Sequence, residues 1–490
     1  MNTNDITKTT KKVGNNNPIA TQRFMADPYA IEYEGVVYVY GTNDSEQMTD
    51  SVSGEIPVNN YSKIRTLNCY SSKDMVNWTD EGVISVAGED GPAKWATNSW
   101  APAVAYKEIE GQTKFFLYFA DNGGGIGVLQ ADSPTGPWKD PIGKALISRD
   151  VPNCSGAEIP WLFDPAVLVD DDGQGYLYFG GIGEAEDREH PKCIHVVKLG
   201  DDMISLKEDP VEIDAPAPFE DSGINKINGK YYYSYCTNFD DESTRPTTSD
   251  LGIANIAYMI SEDPMGVTGW SEAKSVLDNP KSYFPEMPDN DNNNNHHCMF
   301  EKSDGNLYIF YHTQKMASDA GNTKGYRTTG VDRVTMGENG ELSAAMTMAG
   351  VEAVSTFDPY DTIPAATFAW SEGTTTVEGP DHGDARNNRV LLSVDKGAYV
   401  GLEAVDFGTL GAKSLTMSVA KENGNGGIEV YLEDCDQRSL VGRLEVTETG
   451  SEETFQTLRV NFDKALTGTH RLFFVFDQKD ILVDTWKFEQ

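Results

Sequence analysis

The stretch DPAVLVDDDGQGYLYFGG at residues 164–181 decides the fold of this chain. An acidic residue opens a short β-rich strand, a Gly-containing turn reverses the chain, and a strand of alternating aromatic residues returns. Four more stretches share this layout: DPYAIEYEGVVYVYGT at 27–42, APAVAYKEIEGQTKFFLYFA at 101–120, EDSGINKINGKYYYSYC at 220–236 and HHCMFEKSDGNLYIFYHT at 296–313. Each stretch predicts a β-hairpin, so the hairpin is the repeating unit of the chain.

A second, weaker hairpin follows each of the five, beginning near Cys69, Val128, His195, Ala257 and Gly325. Two hairpins give four antiparallel strands, and five such units are typical of radial repetition. The sequence therefore predicts an all-β protein in which residues 18–355 form a five-bladed β-propeller. Sustained helical periodicity is lacking, which disfavours an α/β barrel. The polar residues 1–17 predict a disordered or extended N-terminus.

A change of pattern follows the last repeat. Residues 356–366 carry two prolines, lack the hairpin layout and predict a linker. Residues 367–490 contain short strands such as VLLSV, SLTMSVA and LRVNF, spaced by Gly, Asn and Asp. This pattern predicts a second domain, a β-sandwich of the jelly-roll type.

The charge of the chain limits its partners. Acidic residues outnumber basic ones by 77 to 39 in the 490 residues, which gives a net charge of -38. Because such a field repels phosphate backbones and anionic lipid, we expect neither nucleic acid nor a membrane surface as a partner. The longest apolar runs, such as FFLYFA at 115–120, are too short to cross a bilayer. The sequence leaves the oligomeric state open.

The N-terminal stretch MNTNDITKTTKKVGNNNP lacks the apolar core of a secretory signal. We therefore expect a cytoplasmic location, or secretion if a signal has been removed. The six cysteines are scattered without the spacing of a metal site or a disulfide framework. We expect most of them to be buried thiols.

Three carboxylates carry the functional prediction. Asp27, Asp164 and Glu220 open the first hairpins of three blades, and in a propeller the innermost strands converge on one channel mouth. Acidic residues at strand starts also make turns, but three at equivalent blade positions favour a shared site. Neighbouring carboxyl groups cannot all ionise freely, so their pKa values should separate into one acid and one base. Hydrolysis of a glycosidic bond needs such a pair.

The chain resembles glycoside hydrolase family 43, which includes α-L-arabinofuranosidases, β-xylosidases and arabinanases. The resemblance runs from about residue 17 to 350 and is carried by ADP at 26–28, WAP at 100–102, the stretches at 164–181 and 219–235, and NNHH at 294–297. It implies that Asp27 is the general base, Glu220 the general acid and Asp164 the residue that orients the acid and tunes its pKa. It also implies single displacement with inversion. Asp221 departs from the small or apolar residue common in the family, and we expect its side chain to point away along the strand rather than to raise the pKa of Glu220.

Further site residues follow from the same resemblance. Arg327 matches a family arginine near the base and the bound sugar, and His296 or His297 matches a histidine on the channel axis that often approaches calcium. Only one of these two neighbours on a strand can face inward, and the sequence does not decide which. The chemistry itself should require no cofactor, and a structural calcium ion is compatible with the pattern.

Aromatic residues at blade starts are candidates for a sugar-stacking wall. Trp100 is the first candidate, followed by Phe24 and Trp95, although aromatic residues at such positions are as often core residues.

The second domain resembles carbohydrate-binding module family 6, on the text from DKGAYVGLEAVDFG at 395–408 to LVDTWKF at 482–488. The acidic pair with which such modules usually open is replaced near Phe368 and Trp370. Leu482 stands where a sugar-contacting Asn is common, and the aromatic platform is reduced to Phe455. We expect a structural role in packing against the propeller, with residual sugar binding as the alternative.

These residues predict an inverting exo-glycosidase that removes α-L-arabinofuranosyl groups from arabinoxylan or its oligosaccharides. The alternatives are a β-1,4-xylosidase, a bifunctional enzyme acting on both sugars, and a non-catalytic sugar-binding scaffold. The invertase and levansucrase group has a similar architecture, but its W-M-N-D-P opening is absent, and the SRD of residues 148–150 is too short to indicate it.

Overall fold

The computed structural model describes residues 11–50, 55–183, 185–287, 294–380 and 388–490. They form two all-β domains, a five-bladed β-propeller followed by a β-sandwich, as the sequence predicted. In this part of the chain, no helix has the length and apolar character needed to span a bilayer. Of the six cysteines, all but the exposed Cys435 are buried free thiols, which confirms that prediction.

The strands of the propeller follow one another blade by blade. Blade 1 contains β1 (Ala26–Tyr33), β2 (Val36–Thr42), β3 (Thr66–Ser72) and β4 (Trp78–Ser85), and blade 2 contains β5 (Trp100–Ile109), β6 (Gln112–Ala120) and β7 (Ile126–Ala131). Blade 3 contains β8 (Ala166–Val169), β9 (Gly175–Gly180), β10 (Ile194–Lys198) and β11 (Val211–Ile213). Blade 4 contains β12 (Pro218–Ile227), β13 (Lys230–Thr237), β14 (Ile256–Ser261) and β15 (Lys274–Leu277), and blade 5 contains β16 (His297–Glu301), β17 (Leu307–Thr313) and β18 (Thr328–Arg333). Two short helices, α1 (Pro280–Tyr283) and α2 (Lys315–Asp319), flank blade 5 in the chain.

The prediction of four strands in every blade is wrong for blades 2 and 5. In blade 2 the expected fourth strand is reduced to an isolated pair between Gln130 and Lys139. In blade 5 the second hairpin forms a separate two-stranded sheet, β19 (Thr335–Met336) with β20 (Leu342–Ser343). Its strand β20 packs instead beside β15 of blade 4.

Each blade is buried on both faces, which explains the aromatic alternation in the returning strands. In β6, Phe115 packs in the cluster shared with blade 1, whereas Phe116 packs in the cluster shared with blade 3. In β13, Tyr232 faces blade 5 and Tyr233 faces blade 3. Successive side chains of a strand point to opposite faces, so a strand buried between two blades is apolar or aromatic at most of its positions.

Blades 1 and 5 close the ring, and the N-terminal segment helps to join them. The innermost strand β1 packs on both β5 and β16. Asn17 is buried and donates through Nδ2 to the carbonyl groups of Val331 (3.0 Å) and Thr347 (2.8 Å). The backbone N–H of Lys11 donates to the carbonyl of Ser371 in the second domain (3.2 Å), so residues 11–17 pack against both domains and are not disordered. Residues 1–10 lie outside the described part of the chain.

The second domain packs two sheets face to face. One contains β24 (Thr374–Glu378), β25 (Arg389–Ser393), β32 (Leu482–Glu489), β27 (Ala412–Ala420) and β30 (Gln456–Leu466), with β21 (Ile363–Pro364) pairing on β32. The other contains β23 (Trp370–Glu372), β26 (Tyr399–Asp406), β31 (Thr469–Phe476), β28 (Gly426–Leu432) and β29 (Leu440–Val446). The predicted linker is part of this domain, because Phe357 pairs with the strand at Val405 and Ile363 pairs with Trp486.

A shared sheet joins the two domains. The strand β22 (Thr367–Phe368) pairs with the outermost strand of blade 1, β4, with Phe368 opposite Trp78. Beside it, Asp80 of β4 accepts a bidentate pair of hydrogen bonds from Arg23 and a hydrogen bond from Thr376 of the sandwich (2.5 Å). Asp80 therefore links buried groups of both domains.

We expect Asp80→Ala to lower the free energy of unfolding by about 3 to 5 kcal/mol, because it leaves Arg23 buried without a counter-ion. Urea denaturation would measure this loss, with Asp90→Ala as the control. Asp90 is exposed on the loop after β4, so its replacement should change the free energy of unfolding by less than about 0.5 kcal/mol. Equal effects of the two replacements would contradict this view of the interface.

Candidate active site

The acidic residues that open the blades leave the regular strand ladder. Asp27 and Asp164 both have φ of +49°, and Asp221, next to Glu220, has φ of +72°. The pairing of β1 with β2 is interrupted after Ala26, and that of β12 with β13 on both sides of Glu220. Such bulges re-aim side chains, and left-handed backbone at a non-glycine residue is strained and concentrates at functional sites.

The three predicted carboxylates meet at one end of the propeller channel. Asp27, Asp164 and Glu220 are buried and line a single cavity of about 370 Å³. The other lining residues are Thr42, Tyr61, Trp100, Asn122, Gly123, Trp161, Phe163, Phe219, Phe239, Asn294, His296 and Arg327.

Asp27 lies among positive and hydrogen-bond-donating groups. Its Oδ1 is 3.0 Å from Arg327 Nη1 and 3.1 Å from His312 Nδ1, and Thr42 Oγ1 donates to its Oδ2 at 2.6 Å. Burial by itself would raise the pKa of Asp27. The Arg327 guanidinium and the imidazoles of His296 and His312 outweigh burial and hold this pKa well below the usual range of a carboxyl group.

A second carboxylate, Asp44, fixes the orientation of Arg327. Asp44 accepts hydrogen bonds from Arg327 Nε (3.0 Å) and Nη2 (2.9 Å), which leaves Nη1 for Asp27. The guanidinium carbon also lies 4.8 Å from the centre of the Tyr61 ring. Sequence reasoning missed Asp44, Thr42 and His312. These residues end or follow the second strand of a hairpin, and that strand returns the chain to the channel mouth at which the first strand begins. This position in the hairpin is the sequence signal that could have identified them.

Glu220 and Asp164 have the opposite electrostatic character. Burial raises the pKa of Glu220 to about 8, although Asn294 Nδ2 donates to its Oε1 at 2.8 Å and works against this increase. Burial also raises the pKa of Asp164 well above its usual range, and the nearby charges of Glu220 and Asp27 add to the effect. The carboxyl groups of this cavity therefore differ in protonation: Asp27 is ionised, whereas Glu220 and Asp164 favour the protonated form.

Asp221 does not line the cavity, and its side chain is turned toward His296 and His297. Its Oδ1 lies 3.0 Å from His296 Nε2, and its Oδ2 accepts from the backbone N–H of His297 at 3.0 Å. The side chain therefore points away from the cavity, as expected. Its charge still helps to raise the pKa of Glu220, so the two effects that the sequence presented as alternatives occur together.

His296 and His297 differ in what they face. His296 lines the cavity, with Nδ1 3.4 Å from Asp27 Oδ1. His297 contacts Asp221 through Nδ1 and Ser234 Oγ through Nε2 (2.7 Å), so both of its ring nitrogens are engaged. His297 thus faces away from the cavity in which a sugar could bind.

In the described part of the chain, Asp164, Glu220 and His296 each offer one ligand atom within 4.8 Å of the others. Calcium takes six to eight oxygen ligands, so these three groups would leave most of the shell to water. They fit calcium poorly, because one of the three ligand atoms is the imidazole nitrogen of His296 and calcium takes oxygen ligands. Calcium near His296 stays a prediction.

The aromatic wall differs in part from the prediction. Trp100 lines the cavity as expected, but Phe24 packs in a closed cluster with Met48, Met316 and Tyr326. Trp95 stacks on Phe119 and donates to Asp140 at 2.8 Å, away from the cavity. Both predictions of sugar contact are wrong, because these rings fill space between elements.

Four aromatic residues that sequence reasoning missed form the other wall. Trp161 packs edge-to-face on Phe163 and on Phe219, with ring centroids 5.4 and 5.5 Å apart, and Phe219 packs on Phe239. An apolar wall opposite buried polar groups is typical of a site for a small polar ligand.

The fold and the site have counterparts among known proteins. Residues 15–342 match Glycosyl hydrolases family 43, and residues 364–490 match Carbohydrate binding module (family 6). The chain belongs to glycosyl hydrolase family 43. Family 43 enzymes need no cofactor for catalysis, and this chain is a glycoside hydrolase.

The relatives of this family 43 enzyme include two that match nearly the whole chain. An arabinoxylan arabinofuranohydrolase of Paenibacillus polymyxa is 42% identical, covering 97% of this chain and 74% of that protein. One of Bacillus subtilis is 41% identical, covering 98% of this chain and 93% of that protein. A crystal structure of a Bacillus subtilis family 43 arabinoxylan arabinofuranohydrolase in complex with cellotetraose superposes with a TM-score of 0.91 at 40% identity, covering 99% of this chain and 100% of that chain.

The carbohydrate-binding module of this enzyme has few exposed sugar-binding groups at the predicted positions. Leu482 is buried against Val390 and Ala420, and Phe455 packs half-buried on the same cluster. Trp370 is fully buried and stacks on Phe473. The rings at the opening of the domain thus contribute to its core.

Replacing Arg327 by Met should move the bell-shaped pH profile of kcat/KM to higher pH. The guanidinium lowers the pKa of both Asp27 and Glu220, so its loss raises both, and more strongly that of Asp27, which it contacts. The profile should be measured on a glycoside with a poor leaving group, because only such a substrate needs protonation of the leaving oxygen and so shows both limbs. Arg333→Met, at the exposed end of β18, the strand that Arg327 immediately precedes, should leave both limbs in place. An unchanged acidic limb in the Arg327 variant would contradict the coupling.

Proposed function

We propose that this enzyme is an inverting exo-glycosidase that removes α-L-arabinofuranosyl side groups from arabinoxylan or arabinoxylo-oligosaccharides. One observation carries the chemistry: a single buried cavity holds Asp27 with a lowered pKa and Glu220 with a pKa raised to about 8. The choice of substrate is supported by the two nearly full-length relatives, both of which are named arabinoxylan arabinofuranohydrolases.

Glu220 is the general acid of the proposed reaction. With a pKa of about 8 it carries a proton at neutral pH and donates it to the glycosidic oxygen as the bond to the anomeric carbon breaks. The hydrogen bond from Asn294 to Oε1 leaves Oε2 to carry this proton. Asp164 offers a carboxyl oxygen within 4.8 Å of Glu220, and two carboxyl groups this close cannot both ionise freely, so we assign Asp164 the tuning role.

Asp27 is the general base. Arg327 and Thr42 each hold one oxygen of this carboxylate, which fixes its plane and its ionised state. In the proposed step, Asp27 accepts a proton from a water molecule while the water oxygen attacks the anomeric carbon on the face opposite to the leaving oxygen. The configuration at that carbon therefore inverts.

The size of the cavity supports action on a terminal sugar. Its volume of about 370 Å³ is near the lower end of the range of about 300 to 1,000 Å³ for small-ligand sites. Such a space suits one side-group sugar and its linkage rather than the interior of a polysaccharide chain. Because this substrate is uncharged, the net charge of -38 does not oppose its binding. The cytoplasmic location stays a prediction.

Incubation with arabinoxylan and with two 4-nitrophenyl glycosides would test the function. We expect release of arabinose from the polymer and higher kcat/KM on the α-L-arabinofuranoside than on the β-D-xylopyranoside. Proton NMR at early times should show β-arabinofuranose as the first product. Preference for the xyloside would support the β-xylosidase alternative, activity on neither would favour the scaffold, and initial α-product would contradict inversion.

Glu220→Ala should slow the release of arabinose from arabinoxylan by about 10² to 10⁴-fold. It should slow hydrolysis of a 2,4-dinitrophenyl arabinofuranoside much less, because that leaving group departs without protonation. Glu242→Ala, which changes an exposed carboxylate on the loop after β13, is the matched control and should affect neither substrate. Equal losses on both substrates in the Glu220 variant would remove Glu220 from the acid role.

A further inference from the structure

We propose that Arg149 is a positioning residue that locks two loops into one wall of the active-site cavity and thereby determines how well substrate binds in that cavity. The inference rests on the proposed function only for the choice of substrate. Arg149 is the centre of the SRD sequence at 148–150, to which the catalytic chemistry assigns no role.

The guanidinium of Arg149 donates to four backbone carbonyl groups. Nη2 donates to Gly123 (2.7 Å) and Pro160 (3.0 Å), and Nη1 donates to Cys154 (3.3 Å) and Ile159. No carboxylate is among its hydrogen-bond partners in the described part of the chain. A cation that binds four carbonyl groups serves to hold backbone in place rather than to neutralise a charge.

The four carbonyl groups belong to two loops that otherwise have little regular pairing. Gly123 lies in the loop of residues 121–125 in blade 2, and the other three lie in the loop of residues 148–162 that leads to blade 3. The loops meet where Leu162 N–H donates to the Gly123 carbonyl at 3.0 Å. Arg149 binds that same carbonyl, so it connects the two loops at their point of contact.

These loops carry part of the cavity wall. Gly123 and Trp161 both line the cavity, and Pro160, whose carbonyl Arg149 binds, immediately precedes Trp161. The Trp161 ring passes close over Gly123, where an added Cβ would lie 3.6 Å from Trp161 Cδ1. The Trp161 ring also packs edge-to-face on Phe163 and on Phe219. The position of the indole is thus set on one side by blades 3 and 4 and on the other by the Arg149 link.

Arginine is the side chain suited to this task. Its planar fork presents five N–H groups in fixed directions, whereas lysine has one ammonium group and methionine has no donor. Arg149 does not line the cavity, and the catalytic carboxylates do not contact it. Loss of the link should therefore move Trp161 and leave the acid and base in place.

The test uses the full chain with Arg149→Met, Arg149→Lys and Trp161→Ala. On arabinoxylan we expect KM to rise by about tenfold in the Met variant, with kcat on 4-nitrophenyl α-L-arabinofuranoside changed by less than twofold. The Lys variant should restore less than half of the lost kcat/KM on the polymer, because one ammonium group cannot bind four carbonyl groups. Lys144→Met removes an exposed cation from the preceding segment and should match the wild type.

A double-mutant cycle distinguishes positioning from general destabilisation. If Arg149 acts through Trp161, the combined Arg149→Met and Trp161→Ala variant should have nearly the same KM on arabinoxylan as Trp161→Ala alone. If the two replacements raise KM independently, so that their fold-changes multiply in the double variant, the proposal is overturned. An equal fall of kcat on both substrates would also overturn it. If the Met variant does not fold, the cycle is run with Arg149→Lys.

Failure of the proposed function would be visible in the wild type before any variant is compared. If the wild type releases xylose instead of arabinose, the same KM and kcat ratios are measured with xylo-oligosaccharides and the aryl xyloside. A tenfold rise in KM with kcat nearly unchanged then still supports the role of Arg149, and its absence overturns that role.

Discussion

Five buried carboxyl groups meet at the mouth of this propeller with a single buried arginine among them: Asp27, Asp44, Asp164, Glu220 and Asp221. They cannot all be ionised, because unpaired negative charge in a buried site is strongly unfavourable. Arg327 contacts both Asp27 and Asp44. It holds the pKa of Asp27 well below its usual range, whereas burial still raises the pKa of Asp44. On the other side, burial raises the pKa of Glu220 to about 8. The uneven placement of one cation thus gives Asp27 and Glu220 different protonation states, as the proposed base and acid require.

This arrangement requires strained backbone, and the packing between blades holds it. Left-handed conformations at non-glycine residues such as Asp27 and Asp164 cost roughly 1 to 3 kcal/mol each and persist only where the surroundings fix them. The innermost strands provide that constraint, since each packs on the next around a closed ring. An apolar cluster between each pair of neighbouring blades keeps the ring closed; for example, Val39 and Phe310 pack together where blade 1 meets blade 5.

The sandwich contributes to the propeller as well as to its own core. Its strand at Thr367–Phe368 covers the outer edge of blade 1, an edge that would otherwise expose unpaired backbone groups. Asp80 extends the contact by binding Arg23 of the propeller and Thr376 of the sandwich. The domain that resembles a carbohydrate-binding module is therefore also a structural support for the catalytic domain, as the replacement of its opening acidic pair near Phe368 and Trp370 suggested from sequence.

The sequence by itself determined the hairpin repeat, the two all-β domains and the convergence of Asp27, Asp164 and Glu220, because strand alternation and blade-opening positions are local patterns. It did not determine which aromatic residues face the sugar: Phe24 and Trp95 are packing residues, whereas Trp161 and Phe219 line the cavity. Nor did it identify Asp44 as the partner of Arg327, 283 positions away. Only the tertiary structure decided these points, because they depend on how loops and strand ends from different blades fold over the channel mouth. Contacts between such distant segments leave no repeating pattern in the sequence.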